Sequence, residues 1–498
     1  MQGLIERIRV LEGAARPLEP DADQRAALIG PTLRYAERFL EALESAPAFQ
    51  GDQRLARDIA SVAFAEQGTD IERLLELLGR HVDGPGINPA SGGHLGYIPG
   101  GGLFASALGD YLADVTNRYP GVYFANPGAV LLEHHLIAWS ARLAGYPSDA
   151  AGTFCSGGSL ANLTAMVAAR EAHGLRAADY AAAVVYLTSQ THHSVRKALR
   201  IMGMGESVLR EVPLDARYRM RADALDALIG ADRAEGLRPW MVVASAGTTD
   251  VGAVDPMEAI GEVARRHRLW YHVDGAYGAF FALVDWARPL LRGMERSDSL
   301  VMDPHKTLFL PYGSGIALVR ERAHLQRAFT VDAAYMQDAL EHRQEPSPHE
   351  LSPELTRPFR GLRMWIPLLV HGLAPFRAAL EEKLLLARYF RTRVGGLGYE
   401  TGPEPELSVV TYRYVPEAMR EGRAPRDPAV LNRVNRAILE WLHRDGTVFV
   451  SSTMLNGLFT LRFACVVHRT HLATVDRYLG LLGRAAAELE PAIRVASP

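Results

Sequence analysis

From about Leu103 to Val319 the chain alternates helical segments with short β-branched apolar runs, and this rhythm restricts the fold more than any other feature. AAAVVYLTS, WMVVASAGTT, LWYHVDGAYGA and SLVMDPH each read as a compact strand closing in small or polar residues. Between them SLANLTAMVAAREAHG, RADALDALIGADRAEG and DPMEAIGEVARRHR space their apolar residues as helices do. Strand, helix, strand in succession predicts right-handed βαβ units and an α/β fold, with a mostly parallel central sheet flanked by helices. Ligands of such sheets sit beyond the carboxyl ends of the strands, so the polar residues there are where chemistry is expected.

The flanks differ. Before this region, from Asp23 to about Leu78, LARDIASVAFAEQ and DIERLLELLGR predict amphipathic helices, and His81 to Gly102 then reads as a long irregular connection rich in Gly and Pro. After it, VDAAYMQDALEHRQEPSPHELSPELTRP predicts a mobile loop over about 331–355, followed by one long helix from about Phe359 to Val394. LSVVTYRYV, TVFVSSTML and LFTLRFACVV, mixed with two helices, predict a smaller C-terminal α+β domain. The 498 residues exceed what one core holds, and they divide as a helical N-terminal segment 1–85, a large α/β domain 86–394 and a small domain 395–498.

Bulk properties narrow the partners. A formal net charge of -3 suggests neither nucleic acid nor an anionic membrane. Two cysteines, Cys155 and Cys465, exclude a disulfide framework and a multi-cysteine zinc site, so no metal is expected. The opening MQGLIERIRVLEG lacks a signal-peptide apolar core, and no apolar run has membrane-spanning length, so a cytoplasmic protein is expected.

Five strand ends carry the candidate chemistry. TFCSGGSLANLTAM places Gly157, Gly158 and Ser159 before a helix, an anion-accepting turn or simply a tight one. TSQTHHSVRKAL supplies His192 and His193, either surface histidines or, for His192, an aromatic face for a planar ligand. SAGTTDVGAVDP supplies Thr248 and Thr249, and HVDGAYGA supplies Asp274, a turn cap or a charge partner. MDPHKTLFLPYG sets Lys306 in apolar company, where an ammonium is costly without a partner. Taken singly each is ambiguous. Together, in this order, they are what pyridoxal 5′-phosphate needs: phosphate anchorage, a ring cover, a pyridinium partner and an amine for a Schiff base.

On these residues, above all the Asp-Pro-His-Lys run, the chain resembles the group II pyridoxal-phosphate decarboxylases of fold type I, relatives of aromatic-L-amino-acid and glutamate decarboxylases. The resemblance implies that Lys306 holds the cofactor aldehyde, Asp274 pairs with the pyridine nitrogen, His192 stacks on the ring and Ala276 lies against its other face. It further implies that Gly157, Gly158 and Ser159 bind phosphate, with Thr248 and His305 in support. The implied reaction converts an L-amino acid to its amine and carbon dioxide through an external aldimine and a quinonoid, with Tyr335 returning the proton from a lid. Related aldehyde synthases carry phenylalanine at that position, so Tyr335 favours decarboxylation over the rival aldehyde synthase; another fold type I activity and a non-catalytic homologue are the remaining alternatives.

By the same resemblance the substrate meets Tyr97, Pro99 and Gly100 of GHLGYIPGGG, Val122 and Phe124 of YPGVYFANPG, and Arg357 after the loop. Gly100 stands where relatives acting on aromatic amino acids carry threonine, and Thr307 where many have a bulkier residue. Both departures weigh against an aromatic substrate and admit a thioether or aliphatic one. The implied assembly is a homodimer with the active site between subunits and the N-terminal segment wrapped on the partner.

Overall fold

The computed structural model describes residues 1–331 and 345–495. Its centre is a seven-stranded sheet: β1 (Ala151–Cys155), β2 (Ala183–Leu187), β3 (Val208–Glu211), β4 (Arg238–Ser245), β5 (Trp270–Asp274), β6 (Ser299–Met302) and β7 (Gly315–Val319). The spatial order is β1-β7-β6-β5-β4-β2-β3. Neighbours from β3 through β6 pair in parallel, and β7 alone runs against both β6 and β1. The sheet is therefore mixed by one strand and otherwise parallel.

Side-chain alternation explains why these runs are apolar throughout. Val184, Tyr186, Val242 and Ala244 enter one core, while Val185, Leu187, Met241 and Val243 enter another on the opposite face. A strand covered on both faces has no polar side to show, so the runs read as continuous rather than alternating. Register aligns the strand ends: Ser245 pairs with Asp274, and Asp274 with Val301. One edge of the sheet thus collects the polar residues that follow each strand.

A second sheet, β8 (Tyr399–Thr401), β9 (Val409–Tyr414), β10 (Ser451–Leu455) and β11 (Leu458–Ala464), is antiparallel with order β8-β9-β11-β10. Phe390 from the helix Leu373–Gly395 stacks on Phe463 at 4.2 Å between centroids and on Tyr478 of the C-terminal helix at 5.5 Å.

Three expectations change. The helix foreseen from Phe359 to Val394 is two, Gly361–His371 and Leu373–Gly395, because Gly372 takes φ +69°, outside helical space. LARDIASVAFAEQ forms short 3-10 turns over Gln53–Ser61 rather than an α-helix, whereas Ile71–Leu78 is helical. The segment expected as a mobile loop is anchored from Ser347 onward: Ser347, Pro348, Glu350 and Leu351 are buried, and the Ser347 hydroxyl accepts from the Tyr123 amide at 3.0 Å. At the N-terminus, the helices Gln2–Ala15 and Ala22–Ala42 bury no residue, and Leu4, Ile5, Ile8 and Leu11 face outward.

Candidate active site

A cleft of about 350 Å³ opens at the carboxyl edge of the large sheet. It is lined by Gly157, Gly158, Ser159, His192, Thr248, Asp274, Ala276, His305 and Lys306, with Ser156, Asn162, Gln190, Ser194, Thr249, Asp303 and Tyr312 among their neighbours. Nine positions singled out from sequence for the cofactor therefore come together. The helix Gly158–Ala172 points its N-terminus here, with unpaired backbone N–H groups and the positive end of its dipole. A side chain at Gly157 would crowd the His305 ring at 3.3 Å, and one at Gly158 would meet Asp303 Oδ2 at 2.9 Å, so the turn stays open to an incoming group only as glycine.

A hydrogen-bond chain runs through the sheet to the cleft. Burial lowers the His272 pKa, so its ring is neutral. Its Nε2 lies 2.8 Å from Asn162 Oδ1, and Nδ1 lies 2.7 Å from Ser299 Oγ, which also receives the Trp270 indole N–H. An amide oxygen only accepts, so His272 carries its proton on Nε2. Asn162 Nδ2 then donates to Asp274 Oδ2 at 3.0 Å and to Ser194 Oγ at 2.9 Å. Ser194 donates onward to His192 Nδ1 at 2.8 Å. Burial holds the His192 pKa down as well, which leaves a neutral ring with its proton on Nε2. One asparagine thus orients both the carboxylate and the imidazole of the cleft. The Ala276 amide supplies a second donor to Asp274, at 3.2 Å.

Lys306 is not the unpaired amine its apolar neighbours implied. Its Nζ lies 3.1 Å from Asp303 Oδ2, on the preceding turn, and its side chain is 23% exposed against 1% for Asp303. His305 donates from Nδ1 to the Ser314 carbonyl at 2.5 Å, and burial lowers its pKa too. Thr248 Oγ1 accepts from the Ala253 amide at 3.1 Å, which leaves its hydroxyl proton for the cleft.

Other expected residues lie elsewhere. Arg357 does not reach the cleft: its guanidinium is fully buried, 2.8 Å from Glu133 Oε2 and 2.9 Å from Thr153 Oγ1. Thr307 also points away, its hydroxyl donating to the Tyr277 carbonyl at 3.0 Å, so it is no gauge of the substrate. Gly100 packs on the backbone of the lysine turn, where a Cβ would overlap the His305 carbonyl and stand 2.9 Å from that of Lys306. Tyr97 and Phe124 are 56% and 50% exposed, Pro99 and Val122 are buried, and none of the four lines this cleft. Tyr335 lies outside the described residues.

The sequence reading missed Asp303, Asn162, Ser194 and Arg462. An Asp three positions before Lys306 was a usable signal, since that spacing shares a helix face. Arg462 sits on β11, almost wholly buried, and donates to the Thr249 and Asp250 carbonyls and to Ser451 Oγ, joining the small sheet to the cleft wall. No local pattern marks it. Among the described residues no group of three or more His, Cys, Asp or Glu is placed to hold a metal, and no helix is long and apolar enough to cross a membrane.

A mostly parallel sheet whose strand ends gather an amine, a buried carboxylate and an anion-accepting turn defines the class of fold type I pyridoxal-phosphate enzymes. The family model for the pyridoxal-dependent decarboxylase conserved domain matches residues 69–415, and the chain belongs to that family. It is 33% identical over 448 residues to an aromatic-L-amino-acid decarboxylase of Bacillus atrophaeus, covering 88% of this chain and 90% of the relative. It is 32% identical over 456 residues to an L-2,4-diaminobutyrate decarboxylase of Rhizobium meliloti (strain 1021), covering 90% and 88%. The crystal structure of Oryza sativa TDC with PLP and tryptamine superposes with a TM-score of 0.88 at 25% identity, covering 95% of this chain and 99% of that one. The protein is an enzyme that decarboxylates an L-amino acid with pyridoxal 5′-phosphate as cofactor.

Proposed function

We propose that Lys306 is the cofactor lysine, that Asp274 faces the pyridine nitrogen, and that the substrate carries an aromatic or other apolar side chain. The observation that carries this reading is the meeting of the Lys306 amine, the Asp274 carboxylate and the glycine turn around one cleft. When bound, pyridoxal phosphate supplies an electron sink for the bond that releases carbon dioxide. The turn at Gly157, Gly158 and Ser159 binds the phosphate through backbone N–H groups and the helix dipole. Asp274, oriented by Asn162, holds a proton at the ring nitrogen. His192 presents a neutral ring face, Ala276 leaves room on the other side, and Thr248 and His305 hold the cleft walls. The family resemblance assigns the returning proton to Tyr335.

Two sequence arguments against an aromatic substrate fall away, because packing accounts for Gly100 and the hydroxyl of Thr307 points at Tyr277. Similarity to an aromatic-L-amino-acid decarboxylase supports the aromatic choice. The working unit in this reading is a homodimer: Tyr97 and Phe124 are exposed and do not line their own cleft, and the N-terminal helices contain no buried residue. Both features suit a second copy. Free, buried Cys155 and Cys465 accord with a cytoplasmic site of action.

The test is a panel of L-amino acids (aromatic, branched, methionine, acidic, and 2,4-diaminobutyrate) scored for amine and carbon dioxide. Aromatic members should turn over best. A preference for an acidic or diamino acid would overturn the substrate choice, and a Lys306→Ala protein that still shows imine absorbance would overturn the cofactor lysine.

A further inference from the structure

We propose that Asp303 is the base that frees the Lys306 amine for covalent attachment, a reading that rests on Lys306 as the cofactor lysine. A lysine amine is protonated throughout the neutral range, yet only a neutral amine adds to an aldehyde. Asp303 Oδ2 stands 3.1 Å from Lys306 Nζ. Among the described residues, the other titratable groups around the pair are His305, whose Nε2 is 3.7 Å from the same oxygen, and His192, Asp274, Tyr277 and Tyr312 of the cleft lining, with His193 beside His192 and Arg363 near His305. Among the described residues, Asp303 is thus the acceptor within direct reach.

The carboxylate is poorly supported for a purely structural ion pair. It is 1% exposed, and its Oδ1 has no hydrogen-bond partner. It is wedged against two glycines, since Cβ atoms at Gly158 and Gly315 would fall 2.9 and 2.8 Å from its oxygens. A buried carboxylate with an orphaned oxygen costs stability, and it also stands against the turn where a phosphate is expected. Proton transfer removes the charge from the carboxylate, which lessens both costs. One N–H bond of the Lys306 ammonium breaks as an O–H bond forms at Asp303, leaving a neutral amine beside a neutral acid. The amine then adds to the aldehyde carbon, and water departs as the C=N bond forms. No oxidant or reductant is involved. The neutral acid no longer repels the phosphate across the turn.

The experiment mixes cofactor-stripped protein with pyridoxal phosphate between about pH 6 and 9 and follows imine absorbance with time. Taking the rate of Asp303→Asn relative to wild type removes the cofactor's own titration. That ratio should rise about tenfold per pH unit, because the variant must shed its proton to water. A ratio that does not change with pH overturns the proposal. Binding of pyridoxamine 5′-phosphate, which has no aldehyde, is measured alongside. Unchanged or tighter binding by the variant supports the proposal, and binding more than about tenfold weaker, roughly 1.4 kcal/mol, makes Asp303 a prop of the turn and overturns it. Absence of any imine in the wild type would instead sink the assignment of Lys306 itself.

Discussion

The histidines at and behind the cleft are held neutral by burial and fixed in orientation by their hydrogen-bond partners. Neutral His272 sets the amide of Asn162, and Asn162 orients Asp274 directly and His192 through Ser194. At this scale the role given to Tyr335 is testable. Tyr335→Phe should yield more aldehyde, ammonia and peroxide, with oxygen consumed, at the expense of amine. An oxygen electrode together with amine quantification reads the partition, and an unchanged ratio removes Tyr335 from proton return. The positions of Lys306, Asp274 and His192 were legible in the sequence because each lies at or just beyond a strand end, where parallel sheets collect ligands. Asn162 was not, since an asparagine inside a helix has no local mark of what lies across from it.

Elements impose constraints that single residues conceal. The loop bearing Tyr97 and Pro99 lies against the lysine turn, with Gly100 touching the backbone of His305 and Lys306. Gly100→Thr should therefore destabilise the protein by about 1–3 kcal/mol rather than merely alter substrate choice. Urea unfolding measures this, and a variant with wild-type stability and a shifted amino acid preference would restore the substrate role. The helix Pro127–Leu143 and the segment after the loop are joined by the buried Glu133–Arg357 pair, to which the Gly361 amide adds a bond at 3.1 Å. Glu133→Ala leaves that guanidinium buried without its carboxylate and should cost about 3–5 kcal/mol in the same assay. Strand-helix alternation was readable because it depends on local periodicity. The break at Gly372 was not, because the flanking residues on both sides form good helix and only the backbone angle separates them.

Across the whole molecule, burial of histidines ties stability to pH. His94 is 2% exposed with neither ring nitrogen hydrogen-bonded, and burial depresses its pKa from 6.5 to about 4. Its folded value is the lower one, so below pH 6.5 the unfolded chain takes the proton first, and stability falls as pH drops toward about 4. The loss approaches about 1.4 kcal/mol per pH unit for this residue. His94→Leu should flatten the acid limb of unfolding free energy against pH by that slope, and an unaltered limb would contradict the burial argument. Removal of residues 1–42, whose two helices contain no buried residue, should convert the proposed dimer to monomer in sedimentation and abolish turnover. A truncated protein that still sediments as a dimer would remove that segment from assembly. The sequence by itself determined the sheet, the order of the strand-end residues and the lysine, because periodicity and strand termination are encoded within a dozen residues. Only the tertiary structure decided that Asn162 governs Asp274 and that Arg357 serves Glu133 instead of the cleft. Those outcomes depend on which distant groups packing brings within three ångströms, and chain spacing carries no record of that distance.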